Sequence, residues 1–105
     1  MNARIFAALG DPIRMDLVRN LAASPSKSAT QLAEEYPITR QGLLKHLRLL
    51  EAVGLVSVSP HGREKRYRLR PEPLDEIDEW VKATTAIWDE RLLRLKALLE
   101  NQPSI

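Results

Sequence analysis

The spacing of apolar residues changes at Gly54, and this change limits the folds that are open to the chain. Before Gly54 the apolar residues recur every three or four positions, which is the spacing of amphipathic helices. After it, segments 55–59 and 65–69 alternate between apolar and polar residues, which is typical of strands. Segment 60–64 joins them and contains proline and glycine, so the sequence predicts a β-hairpin with a loose basic tip.

Four short helices are predicted before the hairpin. The first ends at Gly10, and the second begins after Asp11, an N-cap residue that is followed by proline. The third begins with a capping box over 28–31, and the fourth runs from its cap Thr39 to about residue 53. The apolar residues of each helix fall on one face, as a shared core requires.

A last helix is predicted over 74–100, about 40 Å long at about 1.5 Å per residue. Segment 24–27 is predicted to be a loop, so the element order is α-α-α-α-β-β-α, a mainly α chain with a small β-hairpin (α+β). This is the order of a winged helix-turn-helix fold. We interpret 1–105 as one such domain, with its helix-turn-helix over 28–53 and its wing over 55–70.

Composition excludes several classes of protein. The chain has no cysteine, which rules out disulfides and thiolate metal sites and agrees with a cytoplasmic location. No apolar run reaches the roughly 18 residues of a membrane span, so no membrane partner is expected. His46 and His61 have no second ligand at metal-binding spacing, and no nucleophile lies beside a base. We therefore predict no metal, no cofactor and no enzyme activity.

Charge is concentrated in the middle of the chain. Segment 39–70 has eight basic and two acidic residues, a net charge of +6. Segment 74–105 has four basic and seven acidic residues, a net charge of −3. A polyanion such as double-stranded DNA would be attracted to the middle segment, although a solvated basic face is the plainer alternative.

The predicted fourth helix has the pattern of a DNA-reading helix. Leu43, Leu47 and Leu50 occupy its core side, which turns the other face outward. The outward residues are Arg40, Gln41, Leu44, Lys45 and Arg48. Glutamine can bond adenine, and arginine or lysine can bond guanine or phosphate. An apolar side chain at position 44 would touch a thymine methyl group or extend the core, and both alternatives stay open.

The hairpin carries a second set of basic residues. Alternation predicts Tyr67 and Leu69 on one face, with Arg66, Arg68 and Arg70 on the other. Arg63 and Lys65 lie at or near the tip. Such a wing would bind phosphates or enter the minor groove, and charged residues also protect an exposed strand from unwanted pairing.

The last helix has a broad apolar stripe that exceeds what a small domain can cover. Self-association or packing against the first helix would bury it, and folding back on its own domain is the alternative. We predict a homodimer held by the first and last helices. The predicted dimer residues are Ile5, Phe6, Leu9, Trp80, Val81, Ile87, Trp88, Leu92, Leu95 and Leu99.

Taken in order, several segments resemble the ArsR family of bacterial transcription regulators. The matching segments are 6–14, 29–33, 39–50, 51–56 and 62–69, which cover most of residues 5–70. The resemblance is to a cysteine-less subgroup without the usual metal-site motifs. It implies a homodimer that represses promoters, with DNA contacts at Thr39, Arg40, Gln41, Leu44, Lys45, His46, Arg63 and Lys65. Leu44 departs from the small polar residue that is usual at its position.

The sequence therefore predicts a sequence-specific regulator, a homodimeric repressor of a promoter with an inverted-repeat operator. The alternatives are a winged-helix protein-interaction module and a non-specific DNA-binding protein. An unknown small-molecule effector also stays open.

Overall fold

The computed structural model describes residues 3–101 and contains five helices and three strands within that range. The elements are α1 (Ala3–Leu9), α2 (Pro12–Ala22), β1 (Lys27–Ser28), α3 (Ala29–Glu35), α4 (Arg40–Ala52), β2 (Val56–His61), β3 (Glu64–Leu69) and α5 (Leu74–Glu100). The predicted α+β class is confirmed, and so are the predicted hairpin and the five helices.

Side chains cap the helices where the sequence predicts. Oδ1 of Asp11 accepts hydrogen bonds from the backbone N–H groups of Ile13 (2.8 Å) and Arg14 (3.1 Å) at the start of α2. A complete capping box opens α3, and Oγ1 of Thr39 accepts from the N–H of Gly42 at 3.0 Å to open α4. These bonds satisfy N–H groups that a helix start leaves free, and each is worth about 1 kcal/mol.

The sheet has one strand more than predicted. Its order is β1-β3-β2, and both pairs are antiparallel. The prediction of a loop over 24–27 is wrong at its end, because Lys27 pairs with Tyr67 and Ser28 pairs with Arg66. A two-residue strand has no period of its own, so its pairing depends on the tertiary contact with β3.

The hairpin tip is tighter than predicted. Pro60 pairs with Lys65 and His61 with Glu64, which leaves a two-residue turn. Gly62 in that turn has a φ of +66°, a conformation that glycine adopts without strain. Proline is tolerated in β2 because this strand lies at the edge of the sheet.

A single core lies between the first four helices and the sheet. Its fully buried leucines include Leu17, Leu32, Leu43, Leu47 and Leu50. Tyr67 and Val56 close the core from the sheet side. The three leucines of α4 therefore have the inward orientation that the sequence predicts.

Helix α5 extends away from this core. None of its 27 residues is buried, although Leu74 and Ile77 pack partly against the core. The large apolar side chains from Trp80 onward stay 45–66% exposed. The molecule measures 76 × 25 × 22 Å, with a radius of gyration of 20.4 Å against about 13 Å for a compact domain of this length. The alternative that this helix folds back on its own domain is wrong.

Within residues 3–101 no helix is both long and apolar enough to cross a membrane.

Candidate nucleic-acid interface

A basic cleft lies between α4, the hairpin and the start of α3. It has a volume of about 580 Å³. Arg40 and Arg48 line it from α4, and Arg63 and Lys65 line it from the hairpin. All four side chains are exposed, and they come from two elements that are distant in sequence. The fold thus joins the two basic segments that the sequence analysis singled out.

The orientation of α4 follows from its core contacts. Leu43, Leu47 and Leu50 have no exposed surface, so the opposite side of the helix faces solvent. Gln41 and Lys45 are exposed there, beside the cleft residues of the same helix. The outward orientation predicted for Arg40, Gln41, Lys45 and Arg48 is confirmed.

Leu44 combines the two alternatives that the sequence left open. It is partly buried and packs against the core, and it also lines the cleft. One edge of the side chain is therefore available to a ligand in the cleft.

The cleft also contains acidic residues that the sequence analysis did not single out. Glu51 and Glu64 both line it, and Glu51 lies three residues after Arg48 on the same side of α4. That helical spacing is the signal that would have found Glu51. Burial raises the pKa of the Tyr67 hydroxyl at the cleft wall, and the nearby Glu51 carboxylate adds a smaller contribution. This hydroxyl therefore stays protonated.

The two faces of the hairpin have different surroundings. Lys65 shares the face of Tyr67 and reaches the cleft, whereas Arg66 and Arg68 belong to the opposite face. Arg66 donates from a terminal nitrogen to Oγ of Ser26 at 3.3 Å. Its Nε is buried without a hydrogen-bond partner among the described residues. The structure does not bring Arg66 or Arg68 into the cleft with the other predicted basic residues.

His46 lies on a different flank of α4. Its Nδ1 is 3.2 Å from a terminal nitrogen of Arg14 and 3.9 Å from Oδ1 of Asp11, both in or next to α2. The ring of His46, for which the resemblance implied a DNA contact, packs against α2 and does not line the cleft. Thr39 is exposed at the start of α4, where its hydroxyl serves as the helix cap.

The predicted dimer residues fall into three groups by burial. Ile5 is only 3% exposed, so its prediction as an interface residue is wrong: the side chain belongs to the core of its own protomer. Phe6 and Leu9 are partly buried, and the Phe6 ring meets Trp80 edge to face at 5.5 Å. The other predicted residues of α5, from Val81 to Leu99, are exposed.

Within residues 3–101 no three acidic, histidine or cysteine side chains come close enough together to hold a metal ion.

Two helices joined by a short turn, an exposed second helix and a basic hairpin define a winged helix-turn-helix protein. The structure is similar to an ArsR-like transcriptional regulator from Rhodococcus sp. RHA1, with 37% identity, a TM-score of 0.77, and coverage of 95% of this chain and 93% of that one. The chain belongs to the ArsR family of winged helix-turn-helix transcriptional regulators.

Other comparisons agree with this assignment. The helix-turn-helix domain family model matches residues 9–59. The HTH-type transcriptional regulator Rv2034 of Mycobacterium tuberculosis is 32% identical over 87 residues, which cover 78% of this chain and 80% of that protein. The fold is shared by a homodimeric winged helix-turn-helix DNA-binding domain from Mycobacterium bovis, with 21% identity, a TM-score of 0.64, and coverage of 80% of this chain and 77% of that one.

Proposed function

We propose that this regulator is a homodimeric repressor that recognises an inverted-repeat operator with α4 and holds the DNA backbone with its wing. The observation that carries the proposal is the convergence of Arg40, Arg48, Arg63 and Lys65 on one cleft beside an exposed helix. Four clustered positive charges on two elements match the phosphates that flank a major groove. A wing that binds a protein rarely needs so many basic residues.

We assign base recognition to the exposed front of α4. Gln41 has the two polar atoms that bond the major-groove edge of adenine, and Lys45 and Arg48 suit guanine or phosphate. Leu44 offers an apolar edge to a thymine methyl group. Arg63 and Lys65 lie at the wing tip, where contacts to phosphate would position the protein without reading sequence.

The dimer is assigned to the apolar stripe of α5, helped by α1. The stripe residues from Trp80 to Leu99 share one side of the helix and have little protomer surface to pack against. The homodimeric domain from M. bovis has the same fold, which supports this assembly. A twofold dimer would present two copies of α4 to half-sites about one DNA turn apart.

Selection from random duplex DNA tests the proposal. The purified protein is incubated with a random library at about 150 mM salt, and the retained DNA is sequenced. We expect enrichment of an inverted repeat whose half-sites are centred about 10 bp apart. Retention without enrichment would indicate a non-specific DNA-binding protein, and no retention would favour a protein-interaction module. Either result would contradict the proposal.

The same selection with a Gln41→Ala variant tests the reading role of α4. We expect the preferred base at one position of each half-site to relax, because the lost side chain is the one that suits adenine. Arg63→Ala is the control, since loss of a phosphate contact weakens binding to all sequences and leaves the preferred sequence unchanged. If Gln41→Ala weakens binding equally for every DNA sequence, Gln41 does not recognise a base.

A further inference from the structure

Arg14 connects three helices through its guanidinium group. Its Nε donates to the backbone oxygen of Ala8 at 2.6 Å, and one terminal nitrogen donates to the oxygen of Ala7 at 3.4 Å. The other terminal nitrogen lies 3.2 Å from Nδ1 of His46. Arg14 itself belongs to α2, the two carbonyls belong to α1, and His46 belongs to α4. One side chain thus touches α1 and α4 together.

Each of these contacts has a physical reason. The last carbonyl groups of a helix have no partner within it, and the end of the helix carries a partial negative charge. The guanidinium of Arg14 supplies both hydrogen-bond donors and a positive charge at the end of α1. Asp11 approaches the same nitrogen of the His46 ring, with its Oδ1 3.9 Å from Nδ1. Hydrogen bonds from the N–H groups of Arg14 and Ile13 lower the pKa of the Asp11 carboxyl.

The chemistry of the guanidinium indicates the role of the imidazole nitrogen that faces it. A guanidinium is always protonated and can only donate, so Nδ1 of His46 accepts. We call this contact the Arg14–His46 bridge.

The Arg14–His46 bridge adds a directional contact to the apolar packing of α4. The inward leucines Leu43, Leu47 and Leu50 hold the helix against the core, but apolar contacts are not directional. A hydrogen bond is directional and weakens steeply off axis. A small rotation of α4 about its axis would keep its leucines buried and would move Gln41 and Lys45 relative to a DNA groove.

We propose that the Arg14–His46 bridge fixes the rotation of α4 against α1 and α2, and that Arg14 and His46 are therefore positioning residues for sequence-specific DNA recognition. This inference rests on the proposed function, because it assigns to α4 the reading of the operator. It explains why a polar residue stands on the flank of α4 that packs against α2. It also makes operator affinity depend on two residues outside the cleft.

Three substitutions of His46 distinguish the effect of the position of the hydrogen-bond acceptor from the effect of side-chain size. Asn places its side-chain oxygen two bonds from Cβ, where Nδ1 stands, so it retains the acceptor. Gln places its oxygen one bond further, near Nε2, and is the control of similar size and polarity. Leu removes the acceptor. Affinity is measured for the selected operator and for random DNA, together with the sedimentation state and the thermal unfolding midpoint of each variant.

We expect His46→Gln and His46→Leu to bind the operator about tenfold more weakly, with His46→Asn close to the native protein. Binding to random DNA should stay unchanged in all three, because it depends on basic residues that none of them alters. Arg14→Lys should lose operator affinity as His46→Gln does, since lysine cannot bond both the carbonyls and the ring.

The possible failures differ from one another. If the native protein selects an operator and all three His46 variants bind it equally well, the bridge has no positioning role and the proposed function stands. If His46→Asn loses as much as His46→Gln, the acceptor position does not matter and the inference is overturned. If the native protein selects no sequence, the proposed function falls and the inference falls with it.

Discussion

Both tyrosines of the chain are held in their protonated form by their surroundings. The hydroxyl of Tyr36 donates to Oδ2 of Asp16 at 2.7 Å and accepts from Nδ2 of Asn20 at 3.2 Å. Its partial burial, followed by the bond to Asp16, raises its pKa to about 12. Burial also raises the pKa of Tyr67. These are the only two tyrosines in the sequence, so one optical signal reports both.

An alkaline titration of the folded protein should therefore show less than half of its full tyrosinate absorbance at about pH 10, where ordinary tyrosines are half ionised. Because the folded pKa of Tyr36, about 12, lies above the unfolded value, the folded state holds the proton more tightly. This contribution to the free energy of unfolding is complete below about pH 10 and is lost as the pH rises towards 12.

Tyr36→Phe is the control for this titration, because Tyr67 is then the only tyrosine that contributes to the signal. In urea both tyrosines of the native sequence should ionise near pH 10. Half ionisation of the folded protein at that pH would contradict the contacts of Tyr36.

At the scale of single residues, local chemistry could be predicted and distant contacts could not. Asp11, Ser28 and Thr39 cap helices because their oxygens bond N–H groups two or three residues away. His46 lies 32 positions from Arg14, and no pattern in the sequence indicates that their side chains meet. The resemblance to a family assigned His46 to DNA from its position in α4, and that position gives no indication of a partner in α2.

At the scale of elements, the hairpin shows how a short strand alters a predicted surface. Alternation correctly separated Tyr67 from Arg66 and Arg68, since it follows from the geometry of any strand. The face of the hairpin that borders α4 could not be predicted, because it depends on packing. Pairing of β1 with β3 also brings Arg66 near Ser26, and β1 is too short to carry a sequence signal.

The two faces of the hairpin should therefore contribute unequally to DNA binding. Arg63 lines the cleft and Arg68 does not, although both are exposed arginines of the same hairpin. We expect Arg63→Ala to weaken binding to all sequences and to reduce the salt dependence of log K by about one unit. Arg68→Ala should leave both nearly unchanged. Titrations at several salt concentrations measure the two slopes, and equal losses from the two variants would show that DNA also covers the outer face.

At the scale of the whole molecule, the length and stripe of α5 could be predicted because a regular period over 27 residues is a strong signal. The direction of α5 could not be predicted, since periodicity does not show which surface covers an apolar stripe. Ile5 was assigned to the dimer for the same reason: spacing shows that α1 has an apolar side, and only packing shows that Ile5 faces inward. The extended shape follows from α5, which leaves the core after Ile77.

The exposed stripe leads to a prediction about assembly. Leu95 is one of the predicted dimer residues and is 54% exposed. Leu93 is not one of them, is 66% exposed, and lies at helical spacing from the charged residues Asp89 and Glu100. Both are leucines of the same helix with no contact to the protomer core. We expect Leu95→Glu to dissociate the dimer, because a buried unpaired carboxylate is costly. Leu93→Glu should leave the dimer intact, since its side chain would remain in water.

Sedimentation at micromolar concentration distinguishes the two variants, and far-ultraviolet circular dichroism shows whether the helices persist. The Leu95→Glu variant should also lose its preference for a complete inverted repeat over a single half-site, because joined half-sites gain affinity only when one dimer engages both. A native protein that sediments as a monomer would contradict the dimer itself. Dissociation by Leu93→Glu as well would place the contact on another side of α5, and the assignment of the stripe from Trp80 to Leu99 would then fail.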